Sequence, residues 1–377
     1  MTRLAIVRQK YNPAGGAERF VSRALDALAS QGALEVSLIA RRWEKIAGIQ
    51  ALRVDPWYFG SLWRDAGFAH AARTLWQREG FDLVQSHERI AGCQIFRAGD
   101  GVHARWLALR RRTMGWVGRL RLALNPYHHY VCRTERQMFL HPDLQLVICN
   151  SRMIMREIQQ DFGLSDEKFA VIYNGVDTDA FSPDLREQYR EPMRERWQIP
   201  ADAPLLVYVG SGFERKGVAR ALQAIVPHVD VHLVIVGGDK HLKRYQALAD
   251  KLGVAARVRF TGPQQDVKPF YGMADAFILP TLYDPFPNVC TEALACGLPL
   301  FTTMQCGAAE MISAGENGWA VDALDISGMQ TALGLWLACR KSWPEMSAQA
   351  RLTAEPLTLP AMAETLLACY RKLLAGR

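Results

Sequence analysis

No stretch of this sequence is apolar for long enough to cross a membrane: runs such as Leu205 to Val209 are strand-sized, against the roughly 20 residues a bilayer requires. Nor does an apolar core of signal-peptide length with a small-residue cleavage site stand near the start, where the chain runs directly into the strand-like Leu4-Ala5-Ile6-Val7. The expectation is a cytoplasmic protein. A C-x-x-C pair is also missing. The eight cysteines, at 93, 132, 149, 290, 296, 306, 339 and 369, are spread singly along 377 residues. That spacing argues against a zinc ribbon and a disulfide scaffold, and leaves them as small buried residues. Acids are scarce in one place above all. From His103 to Arg136 the only one is Glu135, against arginines at 105, 110, 111, 112, 119, 121, 133 and 136.

What fills that segment instead is a mixture of arginine with Trp106, Leu107, Leu109, Trp116, Val117, Leu120 and Leu124. Arginine, tryptophan and leucine at helical spacing fit an amphipathic stretch lying on an anionic membrane surface. A nucleic-acid partner is the rival explanation of the net charge of +7, but no zinc-finger, RNP or helix-turn-helix signature accompanies it. The bland alternative is a helix packed on its own domain with solvated arginines.

Apolar residues make up 49% and charged residues 22%, the balance of a globular chain, and its length exceeds what one core usually supports. Strand and helix signals alternate through the first half: Leu4 to Arg8, a helix from about Ala17 to Ser30, Glu35 to Ala40, a helix around Ala66 to Glu79, and Leu83 to Ser86. The same alternation restarts at Leu205 to Val209 and continues past Ala276 to Pro280 and Leu300 to Thr302. Between them, Pro183 to Pro204 is charged, proline-punctuated and poor in aliphatics. The pattern predicts two doubly wound α/β domains, 1–182 and 205–356, joined by a linker over 183–204, with a final helix near 357–377 that could pack on either domain, including back on the first. Two such domains facing each other would bind a ligand in the cleft between them, at strand carboxyl ends.

Three segments carry chemistry. Gly15-Gly16-Ala17-Glu18-Arg19 follows the first strand and opens a helix, so its amides can approach an anion; it does not satisfy G-x-G-x-x-G, which counts against a dinucleotide oxidoreductase. Gly210-Ser211-Gly212-Phe213-Glu214-Arg215-Lys216-Gly217 places an Arg-Lys pair after a strand and a glycine turn. Such a pair can hold a diphosphate through bonds of roughly 1.5 to 3 kcal/mol each, or be a solvated pair in a turn. In Asp284-Pro285-Phe286-Pro287-Asn288-Val289-Cys290-Thr291-Glu292, two carboxylates flank a strand-to-helix turn. Acceptor-only carboxylates suit hydroxyl-rich ligands, and first-turn amides would face the gap between them.

This ordered set, with Tyr173-Asn174-Gly175-Val176-Asp177 and Phe260-Thr261-Gly262, resembles the retaining glycosyltransferases of family 4, which have the GT-B architecture of two Rossmann-like domains. The resemblance implies that Arg215 and Lys216 bind the donor diphosphate and Glu292 the ribose. It implies that Asp284, with the amides of Phe286, Asn288 and Val289, holds the sugar hydroxyls, and that Gly15 and Gly16 close over the phosphates. On the acceptor side it points to Asp100 and His103 as the catalytic pair, with His87 a weaker candidate. Asp284 is one methylene shorter than the glutamate of the usual E-x7-E pattern, and Pro287 has no amide to donate.

Within the family, Thr302-Thr303-x-x-Cys306-Gly307 and the basic aromatic stretch after Asp100 resemble the branch that glucosylates heptose in the lipopolysaccharide inner core. The resemblance then implies UDP-glucose as donor, a lipid-linked oligosaccharide acceptor, and a place on the inner face of the cytoplasmic membrane. No cofactor and no metal is expected, since arginine and lysine meet the phosphate charge; Asp177-Thr178-Asp179 looks like a metal motif that belongs to a different glycosyltransferase fold. The alternatives are a family 4 transferase of galactose, N-acetylhexosamine or mannose, and an arginine-rich nucleic-acid-binding protein.

Overall fold

The computed structural model describes residues 2–11, 34–43 and 50–375. The chain divides into two compact units, Met1–Asn174 with Pro360–Arg377, and Gly175–Leu359.

The first unit is built on a seven-stranded sheet whose strands all run parallel. Its elements are β1 (Thr2–Tyr11), β2 (Leu34–Trp43), β3 (Gln50–Arg53), α1 (Gly60–Glu79), β4 (Leu83–Ser86), β5 (Ile95–Ala98), α2 (His103–Arg112), α3 (Trp116–Ala123), α4 (Pro126–Phe139), β6 (Leu146–Cys149), α5 (Arg152–Phe162) and β7 (Phe169–Val171). The order β3-β2-β1-β4-β5-β6-β7 reverses direction between β1 and β4. Leu4 to Val7 are fully buried, as expected of a parallel strand covered on both faces. Local chemistry sets the helix ends: the Asn125 side chain accepts from the Tyr127 amide with Pro126 in the first turn, and Ser151 accepts from Ile154 ahead of a left-handed Gly163.

The second unit repeats the plan with six parallel strands in the order β10-β9-β8-β11-β12-β13. It comprises α6 (Leu185–Arg196), β8 (Leu205–Val209), α7 (Phe213–Lys216), α8 (Val218–Ala224), β9 (His232–Val236), α9 (Leu242–Lys251), β10 (Val258–Gly262), α10 (Lys268–Met273), β11 (Ala276–Ile278), α11 (Asn288–Ala295), β12 (Leu300–Thr303), β13 (Gly318–Val321), α12 (Ile326–Ala338) and α13 (Trp343–Ala354). Here the order reverses between β8 and β11. The last helix, α14 (Leu359–Ala375), lies almost wholly in the first unit, where the buried Tyr370 hydroxyl donates to Gln85 Oε1.

The stretch 183–204 differs from the linker its composition predicts, and the boundary lies at Asn174–Gly175 rather than after residue 182. Its helix α6 carries Arg186, Arg190 and Arg194 at four-residue spacing, one face of a helix, and all three reach the Asp275 carboxylate at 3.1, 2.8 and 2.7 Å. Arg194, buried, also donates to the carbonyls of Met273, Pro200, Ala201 and Ala203. Gly272 makes the approach possible: a Cβ there would stand 2.2 Å from the Leu185 carbonyl oxygen. Charge and close backbone packing, together with the buried side chains of Leu185, Met193 and Ile199, dock this segment within the second unit.

Burial pushes the Asp275 carboxyl up, but Arg194, Arg190 and Arg186 together outweigh it and hold it below the ordinary carboxylate value. Its contribution to stability is therefore complete above the unfolded value of about 3.9 and fades as pH falls through the lower folded value. Asp275→Asn leaves Arg194 buried without its counter-charge. It should destabilise the second unit by about 3–5 kcal/mol near neutral pH, read as a lower urea midpoint, with the deficit narrowing as acid removes the carboxylate from the parent chain.

Candidate functional site

In an open parallel sheet the place where strand order reverses leaves a crevice at the carboxyl ends, because the two flanking connections leave in opposite directions. In the second unit those connections are the segments after β8 and β11, the two that stand out in the sequence. Gly212 (φ +75°) and Gly217 (φ +84°) bound the single turn α7 in left-handed conformations. At Gly217 the requirement is absolute: a Cβ would lie 1.9 Å from the Pro280 carbonyl oxygen. The two loops therefore touch backbone to backbone. The Arg215 carbonyl fastens them by accepting from the Leu282 amide at 2.7 Å and the Thr281 hydroxyl at 3.0 Å.

This contact sets Arg215 and Lys216 over the Asp284 carboxylate. Arg215 Nη1 donates to Asp284 Oδ2 and to the Tyr283 carbonyl, both at 3.1 Å, and Lys216 Nζ lies 3.7 Å from the same Oδ2. Asp284 is buried and pinned at both backbone groups, its amide to Gln305 and its carbonyl from Gly307. Beneath it, the fully buried Thr302 and Thr303 hydroxyls donate to the carbonyls of Leu279 and Thr281 at 2.8 Å. Four residues beyond Asp284, α11 starts at Asn288 with Pro287 as its cap and no side-chain cap bond; in its first turn the Cys290 amide donates to the Pro287 carbonyl at 3.0 Å.

Glu292, half-buried on the second turn, accepts from the Tyr271 hydroxyl at 2.9 Å. Burial, and then the Glu292 carboxylate, push the Tyr271 phenol well above its ordinary range, so it remains a donor that fixes the carboxylate. The sequence-predicted Arg215, Lys216, Asp284, Phe286, Asn288, Val289 and Glu292 thus fall at one end of one sheet. Tyr271 and Thr281 carry no signal in the sequence that marks them as their supports.

Gly15 and Gly16 lie outside the described residues. Asp100 and His103 are brought together in the first unit by a buried ion pair. Arg89 Nε donates to Glu135 at 2.9 Å, Arg89 Nη1 stands 3.8 Å from the exposed Asp100 carboxylate, and Glu135 accepts the His103 amide at 3.1 Å. His103 is the first residue of α2, and its Nε2 is 3.0 Å from His128 Nδ1. Burial, then the Arg89 guanidinium and His128, push His103 down to about 4; its imidazole is neutral at physiological pH. His87 follows β4 in a buried position, its Nε2 2.9 Å from the Gln85 amide nitrogen, and burial followed by Arg8 and Arg97 holds it well below its ordinary value. Nearby, where β1 and β4 diverge, a small polar cavity is lined by Gln9, Asp65, Glu88, Arg89, Tyr127 and Tyr130.

The basic segment folds into α2, α3 and α4. Trp116, Val117, Leu120 and Leu124 form one face of α3 and the residue after it, exposed at 77, 43, 52 and 70%, while Leu122 points inward. Arg111, Arg112, Arg119 and Arg121 are exposed beside them. Asp177 accepts the Ala180 amide in a turn, and among the described residues no cluster of three or more His, Cys, Asp or Glu could hold a metal ion.

Comparison with known proteins agrees with this geometry. The family described as Glycosyltransferase Family 4 matches residues 14–180, and that described as Glycosyl transferases group 1 matches residues 189–353. The lipopolysaccharide glucosyltransferase WaaG of Escherichia coli K12 is 26% identical over 325 residues, 84% of each chain. The lipopolysaccharide core biosynthesis glycosyltransferase LpsE of Rhizobium meliloti is 35% identical over 140 residues, 37% of this chain and 41% of its own. A crystal structure of WaaG superposes with a TM-score of 0.80 at 25% identity, covering 96% of this chain and 98% of that one. Anabaena HepE in complex with UDP and glucose shares the fold, with a TM-score of 0.71 at 17% identity over 99% and 100% of the two chains. With both units matched in order, the chain belongs to the GT-B glycosyltransferases of family 4 and is a nucleotide-sugar-dependent hexosyltransferase.

Proposed function

We propose that this enzyme is a retaining transferase that moves glucose from UDP-glucose onto a heptose of the lipopolysaccharide inner core, working on the inner face of the cytoplasmic membrane. The observation that carries the donor half is the cation pair of Arg215 and Lys216, locked by Gly217 against Pro280 and followed across the loop by the amino end of α11 and Glu292. The names of the Escherichia coli and Rhizobium relatives support the lipopolysaccharide core as the destination.

In this reading the two cations hold the diphosphate and offset the charge that grows on it as the bond to the sugar breaks. Glu292, fixed by Tyr271, accepts from the ribose hydroxyls. Asp284 and the amides of Phe286, Asn288 and Val289 orient the hexose, and Gly15 and Gly16 approach the phosphates. Asp100 and the neutral His103 meet the acceptor hydroxyl, whose proton passes to the departing phosphate oxygen. No metal ion is required, because side-chain cations supply the positive charge. The exposed apolar face of α3 among arginines supports contact with an anionic bilayer and a lipid-linked acceptor. A second donor, mannose, has support from a 37% identity over 177 residues to a GDP-mannose-dependent mannosyltransferase of Mycolicibacterium smegmatis, 44% of this chain and 46% of that one.

A thermal-stability panel of nucleotides and nucleotide sugars separates these donors. UDP at a hundred times its dissociation constant should stabilise the protein by about 2.7 kcal/mol, GDP should do little, and a chelator should leave both the shift and turnover unchanged. A larger shift with GDP-mannose would replace the glucose assignment. Lys216→Ala should lower kcat on the order of 10²–10³-fold with unchanged circular dichroism; near-normal turnover would remove the diphosphate role. For His103, the imidazole carbon-bound proton resonances should not titrate between neutral pH and about one unit above its lowered value of about 4, and a midpoint near 6.5 would contradict its burial against Arg89.

A further inference from the structure

We propose that the polar cavity bounded by β1, α1, α4 and the turn after β4 is a specificity pocket for the diol arm that a heptose carries outside its ring, so that the first unit selects heptoses over hexoses. The inference rests on the heptose reading above and adds which atoms of the acceptor are read.

The cavity follows from the topology. β1 and β4 are the neighbours at which strand order reverses, and space opens beyond their carboxyl ends. The Ser86 hydroxyl closes the turn after β4 by donating to the Glu88 carbonyl at 2.6 Å and accepting the Glu88 amide at 3.1 Å. That turn brings Glu88 back to β1, where its Oε1 accepts the Gln9 amide at 2.9 Å. Asp65, on α1, accepts from Gln9 Nε2, Arg64 Nε and the Tyr127 hydroxyl at 3.0, 2.7 and 2.9 Å. Burial pushes the Asp65 carboxyl up, but these three donors outweigh it and hold it below its ordinary value. Asp65 is therefore a fixed, ionised acceptor near neutral pH.

Acceptor capacity is left over in this wall. Glu88 Oε2 has no hydrogen-bond partner among the described residues, and Asp65 Oδ2 receives one bond where a carboxylate oxygen can take two. Hydroxyl groups, which donate, are the complement. Phe68, Ala69, Ile90 and Val131 supply apolar surface between the polar groups, as the carbons of an alcohol require. Size agrees as well. The cavity measures about 50 Å³, room for about four water-sized groups at roughly 10–15 Å³ each. A heptopyranose carries C6, C7 and their two hydroxyls outside the ring, whereas the hydroxymethyl arm of a hexose is half that size and would leave one carboxylate without a donor.

Arg89 joins this cavity to the acceptor-side pair. It lines the space, donates to Glu135, and stands 3.8 Å from Asp100, while Glu135 accepts the His103 amide. A sugar held by its arm in the cavity thus has its ring beside the residues assigned to the acceptor hydroxyl.

The test gives the full chain, with the donor selected by the thermal panel, two acceptors that share every ring centre: a manno-configured methyl heptoside and methyl mannoside. The parent should favour the heptoside in kcat/KM by about tenfold or more, and saturation transfer from the protein should fall most strongly on the heptoside's H6 and H7 protons. Ala69→Leu, which fills the cavity, and Glu88→Gln, which keeps its shape and removes the charge, should each bring the ratio toward one while the nucleotide-induced thermal shift is kept. If the parent takes the mannoside as readily as the heptoside, or the variants hold the parent's ratio, the cavity contains only water, the pocket is overturned and the heptose acceptor stands. If the parent neither glycosylates nor contacts either sugar, the heptose reading falls and the pocket's role with it.

Discussion

The second unit of this enzyme depends on the absence of one carbon atom. With the Pro280 carbonyl oxygen 1.9 Å from where a Gly217 Cβ would stand, the loops leaving β8 and β11 meet with no side chain between them. Strand order reverses at that point, so these are the two loops that border the crevice. Every later feature follows from the contact. It lets the Arg215 carbonyl accept from Leu282 and Thr281, and that fastening sets the Arg215 guanidinium and the Lys216 amine on one oxygen of Asp284. A methyl group at 217 would push the loops apart and with them the cations from the carboxylate.

A second constraint acts at the other end of the same sheet. Asp275 gathers three arginines from α6 and also accepts the Leu205 amide at the start of β8. The strand that delivers the cation loop is thus tied at its amino end by the same carboxylate that docks the incoming chain. This buried ionic cluster fixes where the second unit begins, and the glycine contact fixes where its chemistry is.

Much of this was legible in the sequence because the relevant physics is local. Gly210 to Gly217 announces a turn with a cation pair, and Asp284 to Glu292 announces two carboxylates around a helix start; the structure puts both at the reversal point. What sequence could not show depends on partners far along the chain. The stretch 183–204 reads as a linker because it lacks aliphatics, yet it folds through Asp275, about eighty residues beyond Arg194, with Gly272 clearing the space. Tyr271 is unremarkable until its hydroxyl is found on Glu292. The resemblance points to His103 as a catalytic candidate without its surroundings; the structure makes it the first residue of a helix, beside Arg89, where a proton is disfavoured.

The two reversal points differ in chemistry in a way that matches the two substrates of a transferase. In the second unit the loop ends bring cations and helix amides, which suit a diphosphate. In the first unit the corresponding ends bring acceptor groups. Asp65 and Glu88 flank Gln9, with Gln9 donating to both at 3.0 and 2.9 Å, Asp100 is open to solvent, and His87 and His103 are held neutral by burial and neighbouring arginines. Burial lifts the Glu88 carboxyl despite the Gln9 amide and Arg8. Such carboxylates accept from hydroxyl groups, which can donate to them. Under the proposed roles, the same architecture serves an anion where its loops end in Arg-Lys and a polyol where they end in carboxylates. That division of charge, more than either motif alone, is what a donor and an acceptor of opposite character require.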